Sequence, residues 1–157
     1  MDIKAKIGII VINENENILL IKEKVKTKDT PLWNIIKGTY GDSGDETVFE
    51  AAIRECREEV LLPVKLINSV GCYISNENNK IRIQFNFLAK AAGNPKLPEK
   101  NDQLLRDEDI SELKWFSKED ILQMKPKEFI SNRTHSLILD WISGKKYPLE
   151  IFKQIEI

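Results

Sequence analysis

Wound at about 100° per residue, the stretch from Phe49 to Val60 sorts its side chains into distinct faces, and that sorting constrains the fold more than any other feature of the chain. Phe49, Ala52, Ile53, Cys56 and Val60 fall on one apolar stripe, which needs a sheet to cover it. Glu55, Glu58 and Glu59 stand at i, i+3 and i+4, so their carboxylates share a neighbouring strip. Ala51 lies inside that strip, where a small side chain leaves room for a bulky ligand. Like charges at this spacing repel by roughly 0.2–0.5 kcal/mol per pair even on an exposed helix. Arg54, four residues before Glu58, brings a planar fork that holds one carboxylate in a single rotamer but cannot neutralise three. A divalent cation is the natural remaining partner. Oxygen ligands without His or Cys select Mg2+ or Mn2+ rather than Zn2+.

The helix is preceded by a glycine-rich turn, Gly38-Thr39-Tyr40-Gly41-Asp42-Ser43-Gly44-Asp45-Glu46. Ser43 and Glu46 have the spacing of a capping box, so the helix is expected over 46–61. Glycines before a helix start let main-chain N–H groups approach an anion, and the helix N-terminus favours negative charge. Pro63 ends the segment.

From Gly38 to Leu62 the chain resembles the Nudix hydrolase family. That family's signature is a Gly, five residues, a Glu, seven residues, then Arg-Glu-(apolar)-x-Glu-Glu-x-Gly-(apolar). Glu46, seven intervening residues and Arg54-Glu55-Cys56-Arg57-Glu58-Glu59 match its core without a gap. Two positions depart. The register places the family's Gly at Tyr40, so neither Gly38 nor Gly41 fits and the loop carries an insertion; and Leu61 stands where the family has a Gly, at which a left-handed cap costs a non-Gly residue about 1 kcal/mol.

The resemblance implies an α/β (α+β) sandwich with a mixed β-sheet between helical layers. It also implies Mg2+-dependent (or Mn2+-dependent) hydrolysis of a pyrophosphate linkage in a nucleoside diphosphate joined to a further group: a nucleoside triphosphate, dinucleoside polyphosphate or nucleotide sugar. Glu55, Glu58 and Glu59 would hold metal, with Arg54 supporting them, and an acid from the segment before the last strand completes the set. Glu108 is the best match, with Glu112 or a purely solvated acidic loop as the alternatives. Glu58, Glu55 or Glu108 would orient or deprotonate water. Lys37 and Gly38 would contact substrate. The alternative is a Nudix-fold module that binds or senses a nucleotide without cleaving it.

The remaining sequence is consistent with one domain over 1–157. With 24 basic and 25 acidic residues, net charge −1, nothing draws the chain in bulk to nucleic acid or a membrane. No apolar run is long enough to span a bilayer, and there is no basic leader with a cleavage site. Cys56 and Cys72 show no metal or redox spacing and read as reduced, buried thiols in a cytoplasmic protein, monomeric or homodimeric.

Lys4–Val11 and Ile18–Lys24 read as a hairpin around Asn13–Asn17. The lysine-rich 24–30 segment reads as a loop whose lysines either meet phosphates or are solvated. Val64–Ser75 is a strand with a bulge marked by Gly71. In Lys80–Lys90, Ile81, Ile83, Phe85, Phe87 and Ala89 face the core; Arg82, Gln84 and Asn86 face away, lining a substrate pocket if that face is covered and wet otherwise. Segment 91–107 reads as a long loop and Leu113–Phe116 as a strand. A helix over 118–124 is capped by Ser117. A longer helix over 129–143 carries His135, the only histidine, as a packing or surface residue.

Overall fold

Ile7, Ile9, Ile10 and Val11 have no solvent-exposed surface, so the first strand is apolar on both sides and lies at the centre of a sheet covered on both faces. In the computed structural model, which describes residues 1–156, this strand is β1 (Asp2–Ile12). It pairs in parallel with β6 (Lys80–Ala91) from Asp2↔Lys80 to Ile12↔Lys90. Its other edge is shared. β4 (Ile36–Thr39) lies antiparallel along Lys6–Ile9, and β2 (Ile18–Glu23) joins at Ile12↔Ile18. β3 (Leu32–Asn34) and β7 (Ile110–Phe116) pair with β2, and β5 (Val64–Glu77) with the outer edge of β6.

Alternation divides the core in two. Ile7, Ile9, Val11, Phe87 and Ala89 pack beneath helix α1 (Val48–Val60) through Val48, Ala51, Ala52, Cys56 and Val60. On the opposite face Ile10, Ile12, Leu20 and Leu88 meet α3 (Lys118–Gln123) and α4 (Asn132–Ile142) through Ile121, Leu137, Ile138 and Trp141. Each large aliphatic chain buried this way contributes roughly 1.5–3 kcal/mol. The result is the expected mixed sheet between helical layers.

Several local expectations are corrected. Helix α1 starts at Val48, not Glu46: its cap is Thr47, whose hydroxyl accepts from the Glu50 N–H at 3.1 Å, and Ser43 takes no part. Ala51 is fully buried against the sheet, so it lets the helix approach the strands and leaves no space for a ligand. Ile53 is only half-buried, while Glu55 and Glu59 are buried. Cys56 is buried as expected, but Cys72 is exposed. Two short strands, β3 and β4, fall between the lysine-rich loop and the glycine-rich turn, β4 running into that turn, and one short helix, α2 (Lys100–Leu105), occupies the 91–107 segment read as loop. The outer face of β6 is covered rather than wet, with Gln84 and Asn86 buried. The Gly71 bulge is present, as a register shift between Ser69 and Gly71 with φ +100°. Ser117 caps α3, and His135 stacks on Phe129 with ring centroids 4.7 Å apart.

Leu61 ends α1 in the left-handed conformation, φ 50° and ψ 38°, its N–H bonded to the Arg57 carbonyl at 3.1 Å. The helix therefore closes as a glycine would close it, with a side chain that strains the position. Leu61 is 48% exposed, so little packing is lost on removing it. Leu61→Gly should raise the stability by about 1 kcal/mol, read as a higher urea midpoint with unchanged slope.

Candidate metal and phosphate site

Strand β4 brings Gly38 directly beneath α1. A Cβ added there would stand 1.9 Å from the Glu55 carboxyl carbon, so only glycine lets that carboxylate lie against the strand. Gly38 thus occupies the place required of the signature glycine, and the intervening loop is longer.

Arg54 organises the acids around it. Its Nε and Nη2 donate to the two oxygens of Glu46 at 3.0 and 2.8 Å, a bidentate clamp that fixes the loop residue to the helix. Its Nη1 donates to Glu55 at 2.8 Å and to Glu58 at 3.1 Å. The guanidinium pKa rises, mainly through the bond to Glu46. One arginine thus holds three carboxylates, more than the single one expected of it.

Glu59 projects from the neighbouring position into the interior. It is 7% exposed, and its Oε2 has no hydrogen-bond partner. Burial, then the charges of Glu108 and Glu55, push its pKa up. Burial likewise raises Glu55 to about 7, against the opposing pull of Arg54. Glu108 arrives from the turn before β7. Arg106 donates to the Glu58 carbonyl at 2.7 Å through Nη2 and to Glu108 at 3.4 Å through Nε, tying that turn to α1. Burial raises the Glu108 pKa, opposed by Arg106. Glu112 instead lies exposed on β7, opposite Lys22.

Three participants were not singled out from the sequence. Arg106 sits two residues from Glu108, a spacing that could have signalled the pair. Glu23, at the end of β2, adds its charge to those acting on Glu59 and Glu108, and accepts from Asn34 Nδ2 at 3.1 Å. Lys6 donates to Thr39 at 2.7 Å and lies within electrostatic reach of Glu55. Only the strand pairing brings these last two to the acids. Lys37 is lowered to about 8, first by burial and then by Arg133. Gln84 is buried and donates to Asn86 at 2.8 Å, and Arg82 pairs with Asp2 at 3.3 Å, so neither reaches the carboxylates directly.

Among the described residues, no three acids, histidines or cysteines point their atoms at one position. Arg54 accounts for this, since it draws Glu55 and Glu58 toward itself. The donor set nevertheless fits a hard cation: all oxygens, three carboxylates raised by burial, and one buried oxygen left without a partner.

These shifts set a pH dependence. A carboxyl whose pKa is raised by folding retains its proton in the native state while the unfolded chain has already lost it. Its stabilisation is complete below the ordinary value of 4.5 and is lost as pH rises through about 7. Glu59 and Glu108 shift in the same direction. At about 1.4 kcal/mol per pKa unit, Glu55 alone accounts for a change on the order of 3 kcal/mol. The melting temperature of metal-free protein should therefore fall between about pH 5 and pH 8. A flat or rising profile would mean that Arg54 and Arg106 already hold these groups ionised.

The sheet, the signature helix and the acidic cluster define a nucleotide-hydrolase type of architecture, and comparison with known proteins agrees. The chain belongs to the Nudix family: it matches the NUDIX domain over residues 3–137. This is a family of hydrolases acting on pyrophosphate bonds. The structure is similar to a NUDIX hydrolase from Nitrosomonas europaea, with TM-score 0.76, 20% identity and 97% of each chain covered. It is also similar to the NUDIX domain of Shewanella oneidensis NrtR complexed with ADP ribose, with TM-score 0.66, 13% identity, and 91% of this chain and 88% of that one covered. A Bacillus subtilis (strain 168) protein described as a candidate 8-oxo-dGTP diphosphatase is 42% identical over 65 residues. That match spans 41% of this chain and 40% of the relative. No helix among the described residues is long and apolar enough to cross a membrane.

Proposed function

We propose that this protein is a cytoplasmic Mg2+-dependent or Mn2+-dependent pyrophosphohydrolase of nucleoside diphosphates linked to a further group. The observation that carries the reading is the Arg54 clamp on Glu46, Glu55 and Glu58 beside buried Glu59, whose Oε2 lacks a partner. Glu55, Glu58, Glu59 and Glu108 would hold the cation. Bound there, it would neutralise negative charge on the phosphate oxygens.

The chain's own groups supply the rest. Glu55, with a pKa near 7, is suited to accept a proton from water at neutral pH, and Arg54 keeps it oriented. Glu58, with about a third of its side chain exposed, meets solvent where the others do not. Gly38 keeps the strand low enough for Glu55 to lie over it, and the main-chain N–H of Lys37 donates to Glu59.

The test is release of nucleoside monophosphate from a panel with Mg2+ present: nucleoside triphosphates including 8-oxo-dGTP, dinucleoside polyphosphates and nucleotide sugars. Saturable binding of these compounds without turnover would replace the hydrolase by a nucleotide-binding module.

Arg54→Lys keeps the charge but loses the fork, so Glu46 and Glu55 are no longer held together. Because the damage falls on ligand geometry, the half-saturating Mg2+ concentration should rise by about 10–100-fold, with partial rescue by excess metal. A variant that binds metal normally and shows only a higher KM would place Arg54 on the phosphates instead.

A further inference from the structure

A cavity of about 690 Å3 opens beside Glu108, on the side formed by the 23–27 segment, α2 and the turn before β7. Its volume falls within the range of small-molecule sites. Glu23 and Glu108 line it, and Arg106 ties Glu108 to the Glu58 carbonyl, so the cavity abuts the acidic centre. The linkage cleaved there has a nucleoside on one side and a second group on the other. The lining decides which group this cavity accepts.

It does not suit a base. None of the lining residues is aromatic, so no ring is available for stacking. The one amide, Gln103, is turned to the main chain: its Oε1 accepts from the Ile110 N–H at 2.7 Å and its Nε2 donates to the Pro98 carbonyl at 3.2 Å. Nor does it suit a chain of further phosphates. Lys24, Lys26 and Lys100 are opposed by four carboxylates, so the lining carries no surplus positive charge. Lys24 donates one of its three N–H groups to the Val25 carbonyl at 2.7 Å, and Lys26 stands 3.7 Å from Asp107, so both keep donors for hydroxyl groups. What remains is a wall of Val25, Leu104 and Ile110 facing ammonium donors and carboxylate acceptors. That combination matches a neutral, hydroxyl-rich group with an apolar ring face.

Resting on the hydrolase reading above, we propose that this cavity is the subsite for the second half of the substrate, and that it takes a sugar. The protein then favours a nucleoside diphosphate joined to a sugar over a nucleoside triphosphate. Leu104 is 74% exposed, so Leu104→Trp narrows the cavity without disturbing the core, and Val25→Trp tests the opposite wall. Neither residue belongs to the metal or phosphate machinery.

Two measurements test the subsite, one of them independent of turnover. With Ca2+ bound, which suits in-line displacement poorly, ADP-ribose and AMP are titrated into isotope-labelled protein and the amide resonances followed. ADP-ribose should shift the signals of residues 24–27 and 103–110, and AMP should not. In the kinetic measurement, wild type should hydrolyse ADP-ribose at least ~10-fold more efficiently than ATP, and both tryptophan variants should lose ~10-fold or more in kcat/KM for ADP-ribose with little change for ATP. Identical shifts with AMP and ADP-ribose overturn the subsite, as does equal loss on both substrates in the folded variants. Selective shifts without hydrolysis of any nucleotide would remove the hydrolase reading and leave the sugar subsite standing.

Discussion

Chelation of divalent metal should reduce hydrolysis to background, and readdition of Mg2+ or Mn2+ should restore it. The expectation follows from the acids themselves. Arg54 partners Glu46, Glu55 and Glu58, yet Glu59 keeps a buried oxygen without a donor, and Glu108 approaches from another element. Phosphates entering this cluster would add negative charge to negative charge. Without a cation the encounter is repulsive, because Arg54 and Arg106 are already bonded to the carboxylates and Lys37 is lowered to about 8 by burial, partly deprotonated in mildly alkaline solution. Calcium should substitute poorly because its looser coordination suits in-line displacement less well than the octahedral geometry of Mg2+. Full turnover in excess chelator would rule out carboxylate-bound metal as the basis of activity.

Glu58→Gln should lower kcat by at least ~10²-fold at saturating Mg2+ while leaving thermal stability nearly unchanged. Glu58 is the most exposed of the three helix acids, so the amide replaces a solvated carboxylate at little cost to folding. It also accepts from Arg54 at 3.1 Å, a bond that the amide oxygen of Gln preserves. What is lost is the charge alone. Near-wild-type turnover of the pure variant would take Glu58 out of the reaction.

The sequence disclosed the acidic cluster better than it disclosed the surroundings. The spacing of Glu55, Glu58 and Glu59, with Arg54 before them, is local information, and a helix converts it into geometry by its own period. The same holds for the Ser117 cap and the Gly71 bulge. Missed elements were those too short to show a period. β3 and β4 are three and four residues long, separated by Ile35, and they form because β2 and β1 present open edges. In α2, Leu104 and Leu105 are 74% and 86% exposed, so no apolar stripe marks the helix.

Ala51 shows a different kind of error. A small side chain beside acids can mean space or close approach, and only the distance of the sheet decides between them. Glu23 was silent for a related reason: it stands on a strand remote in sequence from α1, and its closeness to Glu59 is created by sheet pairing. Glu108 was legible through family resemblance. The arginine that secures it was not.

The Arg54–Glu46 clamp has an effect beyond the acids. One end of the 39–46 loop is fixed in the ladder at Thr39↔Lys6; the other is fixed by two guanidinium bonds to Glu46 and by the Tyr40 hydroxyl donating to the Glu46 carbonyl at 3.0 Å. Between these anchors Gly41 and Gly44, both at positive φ, have nothing within 4 Å of an added Cβ. Position along the chain is thereby uncoupled from position in space: residues can be gained or lost between the anchors while Glu46 stays at the helix. The same stretch offers a surface point at which a peptide tag or a reporter can be spliced into the protein without touching the sheet.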